Sequence, residues 1–237
     1  MYGSGRMKSS LLISFSGLDG AGKSTQIENL RVSLEAMGLH TTLRTFWDDV
    51  VVLSRYREGF VHKVYGSERG VGEPGRPVNR RDKNVRRWYL TLMRHLLYLL
   101  DAIHLRRLAR RALHSGADVV IFDRYIYDEL ANLPLNNPIS RIFARLLSAL
   151  APQPLLAYLL DADPEAAVIR KPEYPLAFMR QCRRSYYDLA RLLGTLTVIA
   201  PMPLAEAKAA VINHAMNVIA DAQASRSFTL DDAAPAA

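Results

Sequence analysis

The sequence predicts an α/β fold in which five strands alternate with flanking helices and the sheet is at least partly parallel. Short apolar or β-branched runs alternate along the chain with longer segments of helical periodicity. The first strand, helix and second strand follow one another within about forty residues, which is the spacing of a βαβ unit with parallel strands. A chain of 237 residues is long enough for one such domain with a sizeable core.

The first half of the chain supplies three strands and two helices. An apolar strand begins at Leu11, and apolar residues at helical spacing predict a helix over 22–37, ended by Gly38. β-Branched and aromatic residues predict a strand over 41–47. Asn84 is a candidate N-cap for a long helix over 84–114. The unbroken apolar run 118–123 is typical of a central parallel strand.

The second half continues the alternation. Prolines divide the helices predicted over 126–133 and 139–150, and a strand covers 155–160. Asp163 caps the next helix and Pro164 opens it. A helix over 176–193, a strand over 196–199 and a helix over 204–220 follow. The domain therefore covers 11–220, with a flexible leader at 1–10, a mobile Arg-rich loop at 66–83 and a frayed tail at 221–237.

The stretch LLISFSGLDGAGKST at 11–25 carries the strongest functional signal. Gly17, Gly22, Lys23 and Ser24 satisfy the phosphate-binding pattern G-x-x-x-x-G-K-[ST], between a predicted strand and a predicted helix. Glycines let backbone N–H groups wrap a triphosphate, the lysine reaches its β- and γ-phosphates, and the serine hydroxyl binds Mg²⁺. A chance glycine-rich turn is the alternative, but it would not account for the strand and helix on either side.

A second candidate site lies at the end of the third strand. Asp123 follows the apolar run, at the sheet edge where ligands of parallel sheets bind. A carboxylate there, beside a phosphate loop, is suited to organise Mg²⁺ or to act as a base, although an ordinary capping aspartate is the alternative. Arg124 offers its fork to a second anionic group.

Composition narrows the function classes. The single cysteine, Cys182, excludes an internal disulfide, and the chain is expected in a reducing cytoplasm. The apolar runs are too short to cross a bilayer, so no membrane partner is expected. The net charge of +8 suits nucleic acid or small polyanions alike. No aromatic-basic nucleic-acid motif is present, so nucleic acid is not the expected partner.

Five blocks of sequence resemble the thymidylate kinase family of P-loop nucleoside monophosphate kinases. They are FSGLDGAGKST, LLYLLDAIHL, VVIFDRYIYDELA, LLDADPEAAVIRK and FMRQCRRSYYDLA, spread over about residues 10–215. The resemblance implies a P-loop three-layer sandwich with a five-stranded parallel sheet, an ATP donor with Mg²⁺, a nucleotide acceptor, a lid at 170–176 and a homodimer.

The resemblance also implies roles for individual residues. Asp19 is similar to the family's P-loop acid near the acceptor, and Asp123 and Arg124 to its D-R pair. Gly20 leaves the P-loop without an arginine, so the lid must supply the catalytic cation, from Arg170, Lys171 or Arg180. The implied catalytic residues are Lys23, Asp123, Arg124 and Arg170. The implied ATP-binding residues are Gly17, Asp19, Gly20, Ala21, Gly22, Lys23, Ser24 and Thr25, and the implied Mg²⁺ ligands are Ser24 and Asp123.

The acceptor side differs from the family pattern. Asp128 stands where the family commonly has serine, 131–133 replace its A-Y-Q, 100–104 replace A-D-R-A-Q, and 44–48 replace R-E-P-G. The expected reaction is phosphoryl transfer from ATP to a nucleoside monophosphate, with dTMP first. One alternative is a kinase for a nucleoside or another small acceptor, read by Asp128, Asn132, Trp47 and Trp88. A nucleotide-regulated RNA-binding protein is a further alternative.

Overall fold

The computed structural model describes residues 10–51 and 88–231 and is built around a parallel sheet in the order β2-β3-β1-β4-β5. All four strand pairings are parallel. The carboxyl ends of the strands therefore meet at one edge, which is where ligands bind in such sheets. The α/β fold class and the five-stranded sheet are confirmed. The strands are β1 Leu11–Gly17, β2 Thr41–Thr45, β3 Val119–Asp123, β4 Leu156–Leu160 and β5 Leu196–Ile199.

Helices cover both faces of the sheet. On one face, alternate residues of β1 pack against α1 and α7. On the other face, α2, α4 and α6 pack on the intervening residues. The central strands are buried on both sides, which explains why their sequences are apolar without alternation. The helices are α1 Lys23–Ala36, α2 Trp88–Leu113, α3 Ile126–Leu130, α4 Pro138–Leu150, α5 Pro164–Arg170, α6 Leu176–Leu193 and α7 Leu204–Asp231.

The predicted second strand was too long, because β2 ends at Thr45 and a π-helix covers Phe46–Val50. Asp49 accepts a hydrogen bond from the Thr45 N–H at 2.9 Å. His104 of α2 contacts the Val50 carbonyl at 2.7 Å. Phe46 is therefore buried, as its apolar character indicated, but the chain reaches the core through a turn rather than an extended strand.

Two predicted helix ends were also wrong. The helix over 126–133 ends at Leu130, three residues early, before the turn that leads to Pro134. The closing helix continues from Ala220 to Asp231, through residues assigned to the frayed tail. No glycine or proline interrupts 221–231, so the sequence contains no strong signal for stopping there.

The signals for the start of α5 were read correctly, and α6 covers 176–193 as predicted. Asp163 accepts a hydrogen bond from the Ala166 N–H at 3.1 Å and Pro164 opens α5. Gly194, with φ of 68°, ends α6. In the part of the chain that the structure describes, no helix has both the length and the apolarity to cross a bilayer. The predicted loop at 66–83, the cap at Asn84 and all of the leader except Ser10 lie outside the described residues.

Candidate active site

The phosphate loop joins β1 to α1 and lies at the carboxyl edge of the sheet. It packs so closely on its neighbours that two of its glycines have no room for a side chain. A Cβ at Gly17 would lie 2.2 Å from the Leu160 carbonyl oxygen. A Cβ at Gly20 would lie 2.9 Å from the Ala167 carbonyl oxygen, and its φ is +80°. The loop is thus fixed against the end of β4 and against α5.

Lys23 is the first residue of α1 and is buried. Its ammonium group donates hydrogen bonds to the carbonyl oxygens of Gly17, at 2.9 Å, and Leu18, at 2.8 Å. Burial, together with the charge of Arg124, lowers the pKa of Lys23 to about 8, although nearby carboxylates oppose this shift. The loop's own carbonyl groups therefore hold the ammonium group inside the turn that the glycines form.

The other ATP-binding residues predicted in the loop lie around this lysine. Ser24 and Thr25 are exposed in the first turn of α1. Ala21 is half-buried, and its N–H donates to the Leu18 carbonyl at 3.2 Å. The N-terminus of α1, a helix of fourteen residues, lies at this loop, and the positive end of its dipole favours an anion bound by the loop.

Asp123 ends β3, and in the register of the sheet it is paired with Phe15 of β1. Burial raises the pKa of its carboxyl group, against the lowering effect of the charges of Lys23 and Arg124. A cation would relieve the cost of this partly buried carboxylate. The sheet therefore brings Asp123 and the phosphate loop to adjacent strand ends, as predicted.

Ser24 and Asp123 fit the donor set that Mg²⁺ requires. They offer one hydroxyl and one carboxylate oxygen, and Mg²⁺ at a nucleotide usually takes only one or two protein ligands beside phosphates and water. The described residues contain no group of three or more His, Cys, Asp or Glu side chains placed to hold a metal alone. The donor chemistry therefore suits an ion shared with a bound phosphate chain.

Arg124 has the left-handed backbone conformation, with φ of 66°, which is unusual for a residue other than glycine. Its N–H donates to the Phe15 carbonyl at 2.8 Å, which ties the turn to β1. Its guanidinium group lies between two carboxylates: Nη1 donates to Asp128 Oδ1 at 2.9 Å, and Nη2 donates to Asp19 Oδ1. Strained backbone of this kind is common at functional sites.

Asp19 is the less buried of the two carboxylate partners of Arg124 and belongs to the phosphate loop. Burial on its own would raise the pKa of this carboxyl group. The charges of Arg124, Lys23 and Lys171 outweigh that effect, so the pKa lies below its ordinary value. Asp19 thus lies among three cations, one of them from the predicted lid.

Asp128 is the other partner of Arg124, and sequence reasoning missed its role. The alternative kinase hypothesis places Asp128 at the acceptor; in the structure its side chain is buried and accepts hydrogen bonds from four donors. Besides Arg124, these are Ser16 Oγ at 2.6 Å, Tyr186 Oη at 2.7 Å and the Tyr125 N–H at 3.1 Å. The ion pair of Arg124 and Asp128 is local in the chain, because Arg124 lies in the turn before α3 and Asp128 lies in its first turn.

The three other residues that the alternative kinase hypothesis assigns to the acceptor, Asn132, Trp47 and Trp88, differ in their surroundings. Asn132 donates from its side chain to the Asp128 carbonyl at 2.9 Å, so its amide is engaged within its own helix end. Trp47 is partly exposed in the π-helix after β2. The side chain of Trp88 lies outside the described part of the chain.

The predicted lid follows α5, and its three cations have different surroundings. Arg170 is exposed at the end of α5, and it has no ion-pair partner among residues 10–51 and 88–231. Lys171 pairs with Glu173 at 3.0 Å. Arg180 of α6 is paired with Glu165. Of the three candidates for the catalytic cation of the lid, Lys171 and Arg180 are therefore already paired with glutamates.

Asp161, which directly follows β4, is hydrogen-bonded to two residues of α6. Asp161 accepts hydrogen bonds from Arg183 Nε at 2.8 Å, Arg183 Nη2 at 2.6 Å and Tyr187 Oη at 2.7 Å. An open cavity of about 290 Å³ lies beside it, lined by three arginines and by the start of α5. One turn of α6 thus reaches Asp161 through Arg183 and Tyr187, and Asp128 through Tyr186.

Comparisons with known proteins agree with this geometry. No protein-family model matches the chain. Thymidylate kinase of Bifidobacterium longum subsp. infantis is 31% identical over 193 residues, covering 77% of this chain and 75% of the relative. Thymidylate kinase of Jannaschia sp. is 29% identical over 196 residues, covering 76% and 83%. The crystal structure of thymidylate kinase from Ehrlichia chaffeensis shares the fold, with a TM-score of 0.54 at 18% identity over 88% of this chain and 99% of that one. The chain belongs to the thymidylate kinase family.

Proposed function

We propose that the chain transfers the γ-phosphoryl group of ATP to dTMP, giving ADP and dTDP. One observation carries the proposal: the phosphate loop with Lys23 lies at the same edge of the sheet as Asp123 and Arg124. The thymidylate kinases among the relatives of this chain support it. A phosphate donor on the loop and an anionic acceptor on the arginine would then face each other across adjacent strand ends.

The donor half acts mainly by holding charge in place. Backbone N–H groups of the loop and the start of α1 bind the phosphates, and Lys23 exchanges its carbonyl partners for β- and γ-phosphate oxygens. Ser24 and Asp123 would hold Mg²⁺, which neutralises charge on the phosphate chain when bound. The gain comes from positioned cations rather than from covalent chemistry.

The acceptor half depends on Arg124. Its guanidinium group binds the acceptor phosphate, and this orients a phosphate oxygen toward the γ-phosphoryl group. Arg170 supplies the lid cation, because it is exposed and has no ion-pair partner in the described part of the chain, whereas Arg180 is paired with Glu165. Closure of the lid would bring this charge to the transferring group.

A steady-state assay of ADP release with a panel of acceptors tests the function. The panel holds dTMP, dUMP, dCMP and thymidine at matched concentrations, with Lys23→Met as the inactive control. The expected result is the highest kcat/KM with dTMP and loss of turnover in the variant. A clear preference for thymidine would favour the alternative nucleoside kinase, and inactivity toward every monophosphate would contradict the proposal.

We also propose that two copies of the chain associate through α2 and α4. These helices lie side by side, since the rings of His95 and Phe143 are 4.5 Å apart. Each of the two neighbouring helices carries three exposed large apolar residues, and pairing about a twofold axis would cover them. The exposed apolar residues of the two helices, here called the α2–α4 face, are Leu92, Leu96, Leu100, Ile139, Ile142 and Leu146.

A further inference from the structure

The two carboxylates that bind Arg124 differ in how firmly they are held. The Asp128 side chain is 2% exposed, whereas that of Asp19 is 28% exposed. Asp128 is bonded to three groups besides Arg124, whereas within residues 10–51 and 88–231 the carboxylate of Asp19 accepts a hydrogen bond from Arg124 alone. The bond between Arg124 Nη2 and Asp19 should therefore break more easily than the bond between Arg124 Nη1 and Asp128.

All four partners of Asp128 are donors, so both of its oxygens act as acceptors. Arg124 and Tyr186 share Oδ1, while Ser16 and the Tyr125 N–H share Oδ2. Releasing Arg124 from Asp128 would leave a buried carboxylate short of its strongest partner, which is costly. Releasing Arg124 from Asp19 would cost less, because the positive charges of Lys23 and Lys171 also stabilise the Asp19 carboxylate.

We propose that Asp128 and Tyr186 are positioning residues which fix the Nη1 side of Arg124, so that only the Nη2 side exchanges its partner, Asp19, for the acceptor phosphate. The inference rests on the proposed function, in which Arg124 binds that phosphate. Tyr186 reaches Asp128 from α6, the helix that follows the lid, so the arginine is oriented by the lid side of the molecule. Holding one side of the fork in advance reduces the ordering cost of binding.

Two neighbouring tyrosines provide a matched test. Tyr186→Phe removes the bond to Asp128, and Tyr187→Phe removes the same kind of bond to Asp161. We expect Tyr186→Phe to raise the KM for dTMP about fivefold, the effect of one lost hydrogen bond, while the KM for ATP stays within about twofold. Tyr187→Phe should leave the KM for dTMP unchanged. Equal effects of the two variants on this KM would overturn the proposal.

A double-variant cycle shows whether Tyr186 acts through Arg124. The dissociation constant of dTMP is measured by calorimetry for Arg124→Met, Tyr186→Phe and the double variant, with melting curves to confirm folding. We expect Tyr186→Phe to change the dissociation constant less than about twofold in the Arg124→Met background, since the positioned group is gone. A full additional fivefold loss would overturn the inference. If Arg124→Met alone leaves dTMP binding intact, the assignment of Arg124 in the proposed function fails instead.

Discussion

Lys23 is buried, but its proposed role in binding phosphate requires the positively charged ammonium form. Its pKa is lowered to about 8, mainly by burial, so the ammonium form is lost in the free protein as the pH rises through that value. Only the charged form attracts phosphate. We therefore expect ATP affinity to fall about tenfold between pH 7 and pH 9, as the protonated fraction falls.

The matched variant for this pH effect is Lys23→Met, which keeps the aliphatic length and has no proton to lose. Its affinity for ATP should be weak and should change little over the same pH range. Calorimetric titration at half-unit pH steps measures both proteins. Parallel pH profiles for the wild type and the variant would show that another group controls the dependence.

Gly20 tests the packing of the phosphate loop on α5. Gly20→Ala combines a left-handed backbone with a Cβ that would lie 2.9 Å from a backbone oxygen, whereas Gly38→Ala has nearly the same φ, +82°, and nothing within 4 Å. Left-handed strain alone costs about 1 kcal/mol. We expect Gly20→Ala to lower the free energy of unfolding by at least about 1 kcal/mol more than Gly38→Ala. Denaturant titration measures the difference, and equal losses would contradict the close packing.

At the scale of single residues, local patterns predicted the phosphate loop but not the network around Arg124. The glycines, Lys23 and Ser24 lie within one continuous motif, so their spacing alone was informative. Tyr186 and Ser16, by contrast, meet Asp128 across 58 and 112 positions of the chain. Contacts of that separation depend on how the layers pack, and a single sequence carries no direct signal for them.

Among the elements, the lid connection between α5 and α6 has the sharpest functional consequence. Arg170 is exposed at the end of α5, and Arg180 is paired with Glu165. We expect Arg170→Ala to lower kcat by about 10³-fold or more, as removal of a cation on the transferring phosphoryl group does. Arg180→Ala is the control and should lower kcat less than about fivefold, because an exposed ion pair contributes little.

Steady-state kinetics at saturating ATP and dTMP measures this contrast. The unfolding midpoint of each variant should stay close to that of the wild type, since both side chains are exposed. A large loss of kcat in Arg180→Ala with little change in Arg170→Ala would exchange the two assignments. Loss in Lys171→Ala alone would assign the lid charge to the residue that already influences Asp19.

Element boundaries were predictable where a specific residue marks the end. Asp163 and Pro164 predicted the start of α5 because each has a local physical role at a helix N-terminus. The end of β2 was missed because it depends on tertiary contacts. His104 lies 54 positions from the Val50 carbonyl that it contacts, so the π-helix could not be read from local propensity.

For the whole molecule, the order of strands and helices was predictable because βαβ units leave few topologies. The sheet then brings Asp123 beside the phosphate loop without any further information, since both follow the ends of neighbouring strands. What the pattern could not show is which apolar helical faces remain uncovered. α2 and α4 each carry more apolar residues than their contacts with the sheet bury.

The α2–α4 face predicts the assembly state. Leu96 is 55% exposed and Ile142 is 57% exposed, so a charge at either position is tolerated by a monomer and buried in a dimer. We expect the wild type to sediment as a dimer and Ile142→Glu to sediment as a monomer, because an unpaired buried carboxylate opposes association. Val32→Glu is the matched control, since Val32 is also 57% exposed but lies on α1, across the sheet. Analytical ultracentrifugation over a range of concentrations separates the outcomes: a wild type that stays monomeric, or an Ile142→Glu variant as dimeric as Val32→Glu, would contradict the proposed interface.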